Sequence, residues 1–270
     1  GELSLRLHTR SISRDGMKKF SISDADFDKS PVESLFAMLQ HGTKEDVFVL
    51  LKKFPGGQYG ASKCFRESDR MWPIHVAALH SSSSEVVQVL NAAYPEGFRH
   101  RNASGSLPIH LACKRPRAPV YVVRALVNAS PDTCSEKDED NNIPLHLAIV
   151  HGHHSKAGEV VKALIEGFPA GVREPDGLGS LPIHLAAAWS SSGSVVKQLL
   201  EAFPEAAKTR DHLKRFPAQL AVEHNYTGAA LEIVELLLEA CPESAALVRS
   251  ARPRIAQAIE AFQKKQLIFV

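Results

Sequence analysis

Leu107-Pro108-Ile109-His110-Leu111-Ala112 decides how this chain is read, because the same phrase is written five times. The other copies are Trp72–Ala77, Ile143–Ala148, Leu181–Ala186 and Phe216–Ala221. Their prolines Pro73, Pro108, Pro144, Pro182 and Pro217 fall 35, 36, 38 and 35 residues apart. Self-similarity at that period means a stack of supersecondary units, each burying its apolar face against the next, and not one closed globule.

Within a unit the phrase opens a helix. The proline suits the first turn, where its missing N–H is no loss and its fixed φ is already helical. In the copy at Leu181, the residues Ile183, Ala186 and Ala187 repeat at i, i+3 and i+4, the spacing of one helical face. Ser190–Ser194 then breaks that helix and starts another, Val195–Leu200, which Pro204 ends. The second helix recurs in register as Val86-Val87, Val122-Val123, Val160-Val161, Val195-Val196 and Ile233-Val234. From each pair to its terminating proline (Pro95, Pro131, Pro169, Pro204, Pro242) is always nine residues, and from there to the next phrase proline always thirteen. Only the distance from phrase to Val-Val pair varies: 13, 14, 16, 13 and 16 residues. Insertions are thus confined to the turn between the two helices, while the irregular connection joining units keeps a fixed length.

Both ends read as caps, which an open stack requires. A degenerate unit lies in residues 31–55, with Leu35, Phe36, Met38 and Leu39 for one helix and Val47, Leu50 and Leu51 for the next, ended by Pro55. After Pro242 no phrase follows, but Ile255, Ile259 and Phe262 can line a closing helix. The expected division is a basic arm over 1–30, a capping unit and long connection over 31–72, five repeats over 73–248, and a closing helix over 249–270.

Composition bounds the chemistry. A hydrophobic content of 44% excludes wholesale disorder, and no apolar run of 18 residues exists to span a membrane. Cys64, Cys113, Cys134 and Cys241 are scattered singly, which argues against a zinc knuckle and fits a reducing, intracellular compartment. The net charge of +2 is unevenly spread. Arg6, Arg10, Arg14, Lys18 and Lys19 make one end basic, and Arg249, Arg252, Arg254, Lys264 and Lys265 the other, around a mildly acidic body. An acidic body without interleaved aromatic and basic residues speaks against nucleic-acid binding.

The phrase, its helix pair and their period resemble the ankyrin repeat, whose signature runs turn, Thr-Pro-Leu-His-x-Ala, then a helix with Val-Val-x-x-Leu-Leu. Gly105 and Gly179 match that family's glycine three residues before the proline; Asp138, Asp176 and Asp211 match its acidic turn residue, and Asn102 nearly so. The resemblance covers residues 31–248 and implies an all-α helix–turn–helix solenoid of about five full repeats with degenerate caps. Two departures stand out. The family's threonine is apolar in every copy, so its turn hydrogen bond is lost, and proline replaces the glycine after the second helix.

The histidines invite a metal reading that the repeat rejects. His75, His110, His146 and His184 hold one position in successive units, and packed helices lie about 8–10 Å apart, too far for nitrogens that must each sit about 2 Å from one zinc. In the fifth copy Gln219 keeps the hydrogen-bonding capacity but ligates metal poorly. These residues read as structural bridges. His151, His153 and His154 lie in a lengthened turn with no completing ligand set, and read as a loop. No phosphate-binding glycine loop, nucleophile elbow or His-Glu-x-x-His is present, so neither enzyme chemistry, cofactor nor metal is expected.

The resemblance implies that a partner protein lies along the concave face made by first helices and finger turns. Matching positions after the phrase carry His80, Lys114, Arg115, His151, Trp189 and His224; finger tips carry Arg70, Lys214 and Arg215; Arg117 completes a basic cluster with Lys114 and Arg115. Trp and Arg are the types most enriched among interface anchors. The basic cluster suits a partner with an acidic segment, and replacing Arg115 is expected to leave stability unchanged. In the arm, Thr9, Ser13 and Ser30 are candidate phosphorylation positions, and its basic, Ser-containing composition is also that of organelle-targeting segments. The reading is therefore a protein-binding adaptor. The alternative is a permanent structural subunit of a larger, possibly organellar, assembly, attached through the basic arm and termini.

Overall fold

A computed structural model describes residues 31–41, 44–53, 66, 68–81, 83–152, 156–190, 192–248, 257 and 260. Twelve helices form among them: α1 (Pro31–His41), α2 (Lys44–Lys53), α3 (Pro73–His80), α4 (Ser84–Ala93), α5 (Pro108–Cys113), α6 (Val120–Ala129), α7 (Pro144–His151), α8 (Ala157–Gly167), α9 (Pro182–Trp189), α10 (Gly193–Ala202), α11 (Pro217–His224) and α12 (Ala230–Ala240). The arm with Thr9, Ser13 and Ser30, His153 and His154, and the closing helix around Ile255, Ile259 and Phe262 lie outside the described residues.

The helices pack in two rows. The proline-led helices α1, α3, α5, α7, α9 and α11 stack in succession, and α2, α4, α6, α8, α10 and α12 stack beside them. Ala77, Ala112, Ala148, Ala186 and Ala221, all at one register of the first row, are fully or almost fully buried. A methyl there is all that fits between close-packed helices. On the second row the valine or isoleucine pairs face inward, and every one of those ten side chains is buried. Each such side chain contributes about 1.5–3 kcal/mol by leaving water.

The connection that reads as irregular in sequence is regular in structure. Each terminating proline opens a five-residue 3-10 turn: Pro95–Arg99, Pro131–Ser135, Pro169–Arg173, Pro204–Lys208 and Pro242–Ala246. The residue before each proline is pushed out of helical geometry, with φ between −154° and −140°. Its N–H still closes the last turn of the helix, and its carbonyl accepts the first i→i+3 bond, as in Gly97 N–H to Tyr94 O at 3.2 Å and Gly171 N–H to Phe168 O at 3.0 Å. Proline thus ends one helix and starts the next turn without orphaning a donor, which keeps the linker length constant. The connection between the two helices of a unit, by contrast, differs in length from copy to copy and absorbs every insertion.

Candidate partner-binding surface

The repeated histidines tie unit to unit. In each, Nδ1 accepts the backbone N–H of the residue before the phrase proline: Trp72, Leu107, Ile143 and Leu181, at 3.1, 3.0, 3.2 and 3.1 Å. Since that ring nitrogen accepts, the other carries the proton. Nε2–H therefore donates to a carbonyl of the following connection: His100, Glu136, Glu174 and Thr209, at 3.0, 2.9, 2.9 and 3.3 Å. Gln219 reproduces both ends, accepting Phe216 N–H at 2.9 Å and donating to Leu247 O at 3.4 Å. Burial pushes His75 and His110 down to about 4, and lowers His146 and His184 also. These rings stay neutral and saturated. They belong to the scaffold.

The finger turns keep their shape without the family's threonine. Oδ1 of Asn102, Asp138, Asp176 and Asp211 accepts backbone N–H groups two and four residues ahead, at 2.7–3.1 Å. Three residues before every phrase proline the backbone is left-handed: Arg70 φ 53°, Gly105 63°, Asn141 59°, Gly179 76° and Lys214 62°. Glycine enters that region freely, whereas a side chain costs about 1–2 kcal/mol there. Adjacent fingers abut. A Cβ on Gly177 would meet Asp140 O at 2.4 Å, and one on Gly179 would lie 3.7 Å from His212 Cβ.

Several of the expected contact residues are engaged within the chain. Lys114 and Arg115 lie past the end of α5, which Pro116 shortens. The Lys114 ammonium reaches the buried Asp138 carboxylate of the next finger at 3.1 Å. Burial alone would raise that carboxyl; the Asn142 N–H and the Lys114 charge outweigh it and hold it below the usual range. Arg115 Nη1 reaches back a whole unit to the carbonyls of Ala78 and Ser81, at 3.2 and 2.7 Å. Asn225 does the same one register later, its Nδ2 lying 3.0 Å from both Ala187 O and Ser190 O. Arg115 is thus a structural tie, and the expectation that its replacement leaves stability untouched is corrected. Arg215 clamps Asp211 Oδ2 through Nε and Nη2 at 3.0 and 2.8 Å, with Nη1 3.2 Å from His224 Nε2. Arg70, His80, Arg117, Lys214 and His224 are exposed, and His151 is half-buried.

The sequence of residues 74–157 matches the family model for ankyrin repeats in three copies. A solved structure described as EF0377, an ankyrin repeat protein, superposes with a TM-score of 0.60 at 15% identity, covering 77% of this chain and 98% of that one. The fold is that of an ankyrin-repeat solenoid. A search of curated protein sequences finds no match.

On this ankyrin stack the seventh residue after each phrase proline forms one column: His80, Arg115, His151, Trp189 and His224. Trp189 closes α9 and remains 49% exposed. The fingers carry two further apolar residues that sequence reasoning passed over. Leu178 is 71% exposed and Leu213 59%, each four residues before a phrase proline. The corresponding positions are Asp69, Ser104 and Asp140, so a leucine in a turn otherwise built of polar residues was the available signal. Among the described residues no group of three or more His, Cys, Asp or Glu could hold a metal ion, and no helix is long and apolar enough to cross a membrane.

Proposed function

We propose that this ankyrin stack is a protein-binding adaptor, its partner seated on the fingers and the row of proline-led helices. Ankyrin repeats generally mediate protein–protein interaction. The observation that supports the placement is the column ending in Trp189. Around it the histidine bridges, finger Asx bonds and alanine register repeat unit after unit, while the column itself reads His, Arg, His, Trp, His and holds a half-exposed indole in the fourth. A position that varies on an invariant frame is where a repeat protein stores specificity, and an indole at that position is an efficient anchor.

The test is capture of partners by the full chain from cell extract, quantified by mass spectrometry. Trp189→Ala is expected to lose the principal partner by more than tenfold while the melting temperature stays nearly unchanged. A partner retained equally by Trp189→Ala overturns the placement.

A further inference from the structure

The charge of the fingers changes along the stack. The third finger is acidic at its tip, with Glu139 and Asp140 exposed. The fourth presents Leu178 on a turn of Gly177 and Gly179. The fifth turn itself is basic, with Arg210, Lys214 and Arg215 against Asp211, while Lys208 before it pairs with Glu205 and Arg215 also reaches Glu223. Asp211 is consumed by Arg215, and Arg210 lies over the Phe216 ring with its Nη1 on Lys214 O. Lys214 forms no ion pair with the described residues and stands exposed, directly beside Leu213. It also sits at φ 62°, where Gly105 and Gly179 occupy the same position in other fingers without strain. Arg70 and Asn141 hold the same left-handed position in the first and third fingers, so it is the exposed charge beside Leu213, and not the backbone, that sets Lys214 apart.

We infer, resting on the adaptor reading above, that the fourth and fifth fingers dock an extended acidic segment of a partner protein, which lays two apolar side chains against Leu178 and Leu213. A Cβ on Gly179 would lie 3.7 Å from His212 Cβ, so the two leucine-bearing turns are neighbours. Units stack about 8–10 Å apart, and a chain in the extended polyproline-II form advances about 3.1 Å per residue and turns once in three residues, so every third side chain shares a face. One finger therefore corresponds to about three residues, and the segment reads apolar-x-x-apolar. Its acidic residues lie at the Lys214 end, because the opposite end would meet Glu139 and Asp140. Leucine contact supplies affinity, and the charge gradient sets direction.

A displayed library of random 12-residue peptides, selected on the full immobilised chain, tests this. The selected set should be net acidic and carry two large apolar residues three positions apart, the acids on the side of the second. A synthetic representative should bind the full chain by fluorescence anisotropy, weaken with added salt, and lose more than tenfold with Lys214→Glu or with the pair Leu178→Ser and Leu213→Ser. Both variants should melt as the parent does, since neither side chain is part of the core. Selection of basic peptides, selection without the apolar pair, no selection at all, or binding that survives the double leucine variant each overturns the inference. So does a dimer in light scattering that the leucine pair holds together. If Trp189→Ala loses the captured natural partner while the leucine variant keeps it, the adaptor reading stands and this one falls.

Discussion

His110 Nε2–H donates to the carbonyl of Glu136 at 2.9 Å, across 26 residues of sequence and from one ankyrin unit into the linker before the next. With Nδ1 on Leu107 N–H, one side chain satisfies two buried backbone groups and fixes the spacing of neighbouring units. Removing it orphans both groups. His110→Ala is expected to cost about 2–4 kcal/mol in urea unfolding, because each unsatisfied buried group costs about 1–3 kcal/mol. His110→Gln should recover more than half of that, since Gln219 performs the same task in the fifth unit. Equal losses for Ala and Gln would mean that the bridges contribute by packing alone.

The same rings predict acid sensitivity. A histidine held at about 4 in the fold and near 6.5 when unfolded binds more protons unfolded throughout that interval. Stability is then fully present above pH 6.5 and falls as pH drops toward 4, by up to about 3 kcal/mol for each of His75 and His110. Asp138 and Asp211, lowered below 3.8, add their losses only beneath that window. Urea midpoints at pH 7.5, 6 and 5 should decline steadily, and the double variant His75→Gln, His110→Gln should flatten the decline. A midpoint constant to pH 5 contradicts the assignment.

Arg115 and Asn225 make equivalent ties to the preceding unit, through carbonyls five and eight residues beyond its phrase proline. Arg115→Ala and Asn225→Ala should each lower stability by about 1–3 kcal/mol, for each takes a side-chain donor from buried carbonyls of the preceding unit. Arg117→Ala, two residues from the first and exposed, should stay within about 0.5 kcal/mol. Thermal melts of the three variants suffice. A silent Arg115→Ala would return that side chain to the surface.

The left-handed finger position separates strain from contact. Gly179→Ala brings its methyl no closer than ordinary contact, 3.7 Å from His212 Cβ, so its loss measures backbone strain, about 1–2 kcal/mol. Lys214→Gly relieves the same strain at some gain in unfolded-chain entropy, and should be neutral or stabilising by up to about 1 kcal/mol. It should nevertheless weaken the acidic peptide. A destabilised Lys214→Gly would show that the lysine serves the fold.

Much of this was legible in sequence, and the reason is repetition. Five copies in register made Pro108, His110 and Ala112 scaffold before any coordinates, and Gln219 in the fifth copy already argued against metal. What was not legible depends on long-range geometry. Nothing near Arg115 in sequence says that its guanidinium reaches Ala78 and Ser81, because the separations of 37 and 34 residues equal about one full repeat. The linker read as irregular because proline is known as a helix stop, whereas here it is also a 3-10 start. Leu178 and Leu213 were passed over because the fingertip was placed one residue too late, at the left-handed position and not at the apex before it.

The central claim is that recognition resides in the residues that differ between copies, with Trp189 foremost. The chain has two tryptophans, and Trp72 is stacked on His100 at 4.5 Å between ring centroids. In a Trp72→Phe background the emission reports Trp189 alone. Titration with the captured partner should move that emission to the blue as the half-exposed indole leaves water. Emission unchanged at a saturating concentration of partner would contradict the account.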